Sequence, residues 1–316
     1  MFENLPQRVK IVEVGPRDGL QNEAKILSVE NKVKLIELLV GAGLKHIEVT
    51  SFVSPKWIPQ LADGLEVAQK LDLPKGTRAS ALVPNQIGYE KAKQSGLPEI
   101  ALFMSATESH SRKNINKSIA EAFAVIEPLA RQAKSDGKLV RAYLSVVFAC
   151  PYEGEVEPAT VVPIIERLAR LEVDEISLGD TIGAATPSQV QNLLSLLSGK
   201  IDFKKLALHF HDTRGMALVN VMAGLSGGIT IFDASVGGMG GCPYAPGASG
   251  NLATEDLVYL LESLAIETGV DLNRLVECGR FAEEIIGRNL PGRYLRARLG
   301  EKKNIALKSV EEKVGA

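Results

Sequence analysis

The chain has 316 residues, 45% hydrophobic and 23% charged, an ordinary globular composition with enough apolar residues for a core of several layers. Its 36 basic and 38 acidic residues leave a formal charge of −2, which argues against a general nucleic-acid binder. No stretch approaches the roughly 18 apolar residues of a membrane span, and Cys150, Cys242 and Cys278 are too scattered for a disulfide framework.

The opening residues, MFENLPQRVKIVEV, reach a β-like run almost at once and carry no secretory or organellar leader pattern, so a cytoplasmic protein is expected. From there β-branched runs alternate with helix-like stretches. A first strand is expected over Val9–Gly15, a helix over Val29–Ala42 and a second strand over His46–Ser51. Arg78–Pro84, Glu99–Met104 and Val140–Phe148 read as strands three to five, with helices over Ile119–Lys134 and Thr160–Ala169. Glu175–Leu178, Leu206–Phe210 and Ile229–Ala234 follow as strands, separated by helices over Pro187–Leu197 and Ala217–Leu225. Pro187 marks a helix start, and Gly43, Gly137 and Gly227 mark helix stops.

Most of these strands are apolar on both faces, which fits a buried parallel sheet. Eight right-handed units point to an α/β fold, a (β/α)8 TIM barrel, with an open doubly wound sheet as the rival because periodicity does not count closure. No linker divides the chain, so one catalytic domain is expected over 1–316. Its barrel core would run from about 9 to 268, with further helical segments at Thr254–Glu267 and Leu272–Ile286 and a C-terminal extension over about 269–300.

In such a barrel the reactive groups stand where strands run into their βα loops. The first strand ends in GPRDGLQNE, which puts Arg17, Asp18, Gln21 and Glu23 at the mouth. His209 and His211, two apart on a strand, share a face and can grip one ion, while Phe210 between them faces the helices. Histidines satisfied in a core are the plain alternative. Asp18 adds a hard oxygen, and the mixed set favours Mn²⁺ or Mg²⁺, with Fe²⁺ and Zn²⁺ tolerated. Arg17 and Asp18 would point apart on a continuing strand, but a turn beginning at Gly15–Pro16 would bring both to the mouth. An arginine there stabilises an oxygen gaining charge, or serves only as an ion-pair partner.

Cys242 falls in a glycine-rich run after the eighth strand, SVGGMGGCPYAPGASGN, where an exposed thiol is a candidate proton donor or acceptor and a buried one is inert. Cys150 and Cys278 read as buried, inert thiols. The run has no P-loop pattern and does not open a dinucleotide-binding unit, and no nucleophile-elbow GxSxG appears.

Taken together, VGPRDGLQNE at 14–23, EVTSFVSPKW from Glu48, SLGDTIG around Asp180, HFHDTRG at 209–215 and GGMGGCPYAPGASGNLATED at 237–256 resemble the 3-hydroxy-3-methylglutaryl-CoA lyase family from about residue 9 to 290. The first and last motifs are specific to the lyases; RDG and HxHD are shared with homocitrate and isopropylmalate synthases. The resemblance implies cleavage of the acyl-CoA to acetoacetate and acetyl-CoA, the chemistry of leucine degradation and ketone-body formation. It implies Asp18, His209, His211 and Asn251 as ligands of Mg²⁺ or Mn²⁺, Arg17 at the enolate and Cys242 as acid/base, with Asp18 or His209 taking the hydroxyl proton. Gln21, Glu48, Asp180 and Glu255 match supporting or substrate positions. Asn251 alone reads equally well as a turn residue or helix cap.

No organic cofactor is implied, CoA being part of the substrate; Arg112–Lys113 are candidate hosts for its phosphates. The expected partners are thus a small-molecule acyl-CoA and, from the resemblance and the frequency of two-fold assemblies, a second copy in a homodimer. His110, in SATESHSRKN, departs from the family, where an aromatic residue is expected. A related 3-hydroxy-3-substituted acyl-CoA is the nearest alternative substrate, and a non-catalytic acyl-CoA- or metal-binding barrel is the alternative of another class. The absence of an organellar leader, and an end, KVGA, unlike a peroxisomal signal, favour a bacterial-type form.

Overall fold

Eight strands pair in parallel around a closed ring in the computed structural model, which describes residues 5–240 and 250–301. They are β1 (Lys10–Glu13), β2 (His46–Ser51), β3 (Arg78–Leu82), β4 (Glu99–Ser105), β5 (Leu139–Ser145), β8 (Glu175–Asp180), β9 (Leu206–Phe210) and β10 (Ile231–Ala234). Closure comes from β1 pairing with β10 through Lys10–Ile231 to Glu13–Ala234, and with β2 on its other edge. That settles the choice between barrel and open sheet in favour of the barrel. A short antiparallel hairpin, β6 (Ala149–Cys150) and β7 (Gly154–Glu155), interrupts the repeat after β5.

The expected helices form with small boundary shifts: α1 (Val29–Gly41), α5 (Ile119–Ser135), α6 (Pro158–Arg170), α7 (Pro187–Leu197), α8 (Ala217–Ser226), α9 (Thr254–Ser263) and α10 (Leu272–Ile286). Three shorter ones are additional: α2 (Gly64–Lys70), α3 (Gln86–Gln94) and α4 (Glu108–Ile115). Local chemistry explains the firm starts. Ser118 with Glu121, and Thr186 with Gln189, form reciprocal capping boxes, and Pro187 occupies the first turn of α7. None of the described helices is long and apolar enough to cross a membrane.

The main core lies between the barrel wall and the helices, and the strand residues that feed it alternate with inward ones. On β9, Leu206, Leu208 and Phe210 face outward into this core, and Phe210 stacks on Phe148 with ring centroids 6.3 Å apart. Val12, Val14, Ala207 and Ile231 cluster separately. The polar residues of the opposite strand parity, His209 on β9 and Asp233 on β10 among them, are buried within the barrel.

Several strand ends differ from expectation. The first strand stops at Glu13, and the chain enters a π-helical turn over Gly15–Gly19 in which the amides of Arg17, Asp18 and Gly19 all donate to Val14 O. The fifth stops at Ser145, because Val146 takes a positive φ of 56° and donates its amide to Thr181 Oγ1 at 2.8 Å. The eighth strand begins at Ile231, two residues later than expected.

Candidate active site

The turn after β1 is what makes the site. A continuing strand would have sent Arg17 and Asp18 to opposite faces; the π-helical turn lets both reach the barrel mouth. Arg17 is 6% exposed and donates through Nη1 to Asp18 Oδ1 at 2.6 Å and through Nε to Glu48 Oε2 at 2.5 Å. Gln21, one turn on, donates Nε2 to the same Asp18 oxygen at 3.0 Å. Burial would raise the Asp18 carboxyl, but the Arg17 guanidinium and the two histidines outweigh it and hold the group well below the usual carboxylate range.

Asp18, His209 and His211 bring one ligand atom each to within 4.8 Å of one another, and among the described residues this is the one such group of His, Cys, Asp and Glu side chains. The ring centroids of His209 and His211 stand 5.2 Å apart. Asn251 arrives through a bridge to His211 and donates Nδ2 to Asp18 Oδ2 at 2.8 Å and to Met239 O at 2.9 Å. The approach demands glycine at 240 (φ 89°), where a Cβ would come 2.8 Å from Asn251 Nδ2 and 3.0 Å from Asp18 O.

Whether these residues suit a cation can be judged from what they lack. Both ring nitrogens of His211 and the Oδ1 of Asn251 are buried with no hydrogen-bond partner among the described residues, and His211 Nε2 lies 3.8 Å from Asp18 Oδ2. Buried acceptors left in that state are costly. One carboxylate, two imidazoles and an amide oxygen converging at one point are the donor set of a divalent ion.

Beneath the cluster lies a buried polar layer that motif reading missed. Asp233, on β10, sits 3.1 Å from His209 Nδ1 and accepts from Ser177 Oγ at 2.8 Å and Arg141 Nη2 at 2.5 Å. Burial would raise its carboxyl, but Arg141 and His209 prevail and lower it to about 2. Arg141 also donates to Tyr143 Oη at 2.8 Å, and Tyr143 in turn to Glu48 Oε2 at 3.2 Å. The available signal was a charged residue at an inward position of an otherwise apolar strand, Arg141 in LVRAYLS and Asp233 in IFDA.

Other expected residues fall around the cluster rather than in it. Asp180 accepts the Ala184 and Ala185 amides, shaping the loop after β8. Glu255 is fully buried behind the glycine run and accepts the Gly237 amide at 2.7 Å. Glu13, unnoticed in the sequence, takes the Gly15 and Val236 amides and the Thr254 hydroxyl, tying the turn of Arg17 to the base of that run. Burial pushes Glu13 up to about 7 and Glu255 to about 8. Glu23 turns away from the cluster to pair with Arg288. His110 is buried, bonded to Ser105 Oγ at 2.7 Å, and burial lowers it to about 4. Arg112, on α4, is exposed and lies 3.8 Å from Glu108. Cys150 and Cys278 are buried, as expected of inert thiols. Cys242 lies outside the described residues.

The HMGL-like family profile matches residues 8–282. Hydroxymethylglutaryl-CoA lyase YngG of Bacillus subtilis is 50% identical over 92% of this chain and 97% of its own. The chain belongs to the hydroxymethylglutaryl-CoA lyase family. It is therefore a carbon–carbon lyase by family. Another relative, a 3-hydroxy-3-isohexenylglutaryl-CoA/hydroxy-methylglutaryl-CoA lyase of Pseudomonas aeruginosa, is 45% identical over 94% of this chain and 99% of its own. The solved HMG-CoA lyase of Acinetobacter baumannii, in complex with coenzyme A and 3-methylmalate, superposes with a TM-score of 0.88 at 37% identity, covering 92% and 95% of the two chains. The lyase barrel thus carries both sequence and fold relatives over nearly its whole length.

Proposed function

We propose that this chain is a cytoplasmic, divalent-cation-dependent lyase, a single catalytic domain that splits 3-hydroxy-3-methylglutaryl-CoA into acetoacetate and acetyl-CoA. The observation that carries the reading is the convergence of Arg17 with Asp18, His209, His211 and Asn251 at one end of a lyase-family barrel.

Asp18, His209, His211 and the Oδ1 of Asn251 would hold Mg²⁺ or Mn²⁺. Such an ion orients oxygen ligands and lowers the cost of negative charge on a hydroxyl oxygen. The tertiary hydroxyl loses its proton, for which Asp18 is the proposed acceptor, since a carboxylate offers about four lone-pair sites. The C2–C3 bond then breaks: C3 becomes the ketone of acetoacetate, and the electron pair passes to the enolate of acetyl-CoA. Arg17 keeps its charge because Glu48 and Asp18 outweigh its burial, so it is a fixed cation for the enolate oxygen. Protonation of the enolate carbon by Cys242 completes release. Glu13 and Glu255 hold the base of the run that carries Cys242. Coenzyme A enters only as part of the substrate, with Arg112 and Lys113 on α4 offered to its phosphates, and a homodimer is the proposed assembly. By its chemistry the reaction serves leucine degradation and ketone-body formation.

A longer C3 substituent is the second reading, favoured by the Pseudomonas aeruginosa relative whose name covers both acyl-CoAs. Competition between hydroxymethylglutaryl-CoA and 3-hydroxy-3-isohexenylglutaryl-CoA, followed by mass spectrometry of the products, separates the two. Faster consumption of the methyl compound upholds the first reading; exclusive use of the isohexenyl compound overturns it.

A further inference from the structure

We infer that Asp233 is a positioning residue that fixes the ring tautomer of His209, and so decides which nitrogen His209 offers to the ion. The inference rests on reading Asp18, His209 and His211 as a divalent-cation site.

Asp233 is 1% exposed. Its Oδ1 accepts from Arg141 Nη2 at 2.5 Å, and its Oδ2 accepts from Ser177 Oγ at 2.8 Å and lies 3.1 Å from His209 Nδ1. A carboxylate paired with arginine only accepts hydrogen bonds, so the hydrogen on the His209 contact belongs to Nδ1. Nε2 is then left with a free lone pair, as a ligand atom must be. Among the described residues His211 has no such device, since neither of its ring nitrogens finds a hydrogen-bond partner there. Of the two imidazoles, the described residues therefore orient that of His209 through a hydrogen bond.

Arg141 makes the arrangement rigid. Its Nε lies 2.7 Å from Glu175 Oε1, Nη2 binds Asp233 and Nη1 donates to Tyr143, whose hydroxyl donates to the Glu48 carboxylate that also holds Arg17. Asp233 cannot rotate away from His209 without leaving a buried guanidinium short of a partner, which is strongly unfavourable. One hydrogen-bonded path thus runs from the Arg17 guanidinium to the His209 ring.

Asp233→Asn is nearly isosteric yet inverts the bond. Arg141 can only donate, so the amide oxygen stays on its side and the NH2 group takes the place of Oδ2, donating to His209 Nδ1. The ring must then carry its hydrogen on Nε2, where the lone pair is needed. The test is direct Mn²⁺ binding to the full chain, read from the paramagnetic resonance of the free ion. It is paired with ¹⁵N shifts of His209 in ion-free protein at mildly alkaline pH, with four histidines to assign. Wild type should show hydrogen on Nδ1 and bind Mn²⁺; D233N should show hydrogen on Nε2 and bind about 10–100-fold more weakly. D233A, whose ring is free to choose, should fall between them. Wild-type binding matched by D233N overturns the proposal alone, while wild type that binds no Mn²⁺ overturns the cation reading on which it rests. Hydrogen on Nε2 in wild type overturns the tautomer assignment even if D233N fails to fold.

Discussion

Asn251 donates its Nδ2 to Asp18 Oδ2 at 2.8 Å, joining residues 233 positions apart. The bond ties the turn after β1 to the chain that follows the glycine-rich run, and it leaves Asn251 Oδ1 buried without a donor among the described residues. Asn251→Ala removes both the tie and the proposed ligand oxygen. Calorimetric titration with Mn²⁺ should show affinity lowered by about 10-fold or more. Asn251→Asp supplies a ligand oxygen in place of the donor and should recover part of it. Equal Mn²⁺ affinity in wild type and the alanine variant would remove Asn251 from the ligand set.

Arg17 answers to two acceptors at once, Glu48 through Nε and Asp18 through Nη1. A lysine has a single ammonium and no planar fork, so Arg17→Lys should keep the charge but lose the geometry. Turnover is expected to drop about 100-fold or more, with Mn²⁺ binding largely retained. Arg17→Ala strands the buried Glu48 carboxylate and should also destabilise the fold by about 3–5 kcal/mol. Denaturant melts distinguish the two variants; an unaltered kcat in the lysine variant would mean that charge alone suffices.

Glu255 is pushed up to about 8 by burial, against an ordinary value of 4.5. Between those values the folded chain holds a proton that the unfolded chain has released, so this group makes stability fall as pH rises from about 5 to about 8. Glu13, raised to about 7, adds to the same slope. Glu255→Gln carries no such proton and should flatten the fall in melting temperature over this window, leaving it several degrees less steep. Identical slopes for wild type and variant would show that Glu255 titrates normally in the fold.

Cys242 is assigned the enolate proton from resemblance. Cys242→Ala should bind Mn²⁺ as wild type does while turnover falls about 10²–10⁴-fold. Normal turnover in that variant would move the proton transfer to another group.

Much of the architecture was legible because strands buried in a barrel write a plain pattern. The ranges of β2, β9, α7 and α10 match the expected ones residue for residue. The pattern failed where a turn opposes local propensity. Val146, Val147 and Phe148 all favour strands, yet Val146 adopts a positive φ because Thr181, on the far side of α6, accepts its amide. Helix α4, ESHSRKNI, has no apolar stripe to announce it.

The same division holds at the site. Asp18, His209 and His211 were visible because spacing and strand ends expose them, and Asn251 only through a resemblance. Arg141, Asp233 and Glu13 were not, since each has a partner 92 or more residues away. No local window contains those pairs; the folded ring of strands brings them together.

The measurement that bears most directly on the central claim is the stoichiometry of products from hydroxymethylglutaryl-CoA, assayed after chelation and again after Mg²⁺ or Mn²⁺ is restored. The account predicts acetoacetate and acetyl-CoA in equal amounts, abolished by the chelator and recovered with the ion. Undiminished cleavage by the fully chelated protein, or no cleavage by a folded and ion-saturated one, would contradict it.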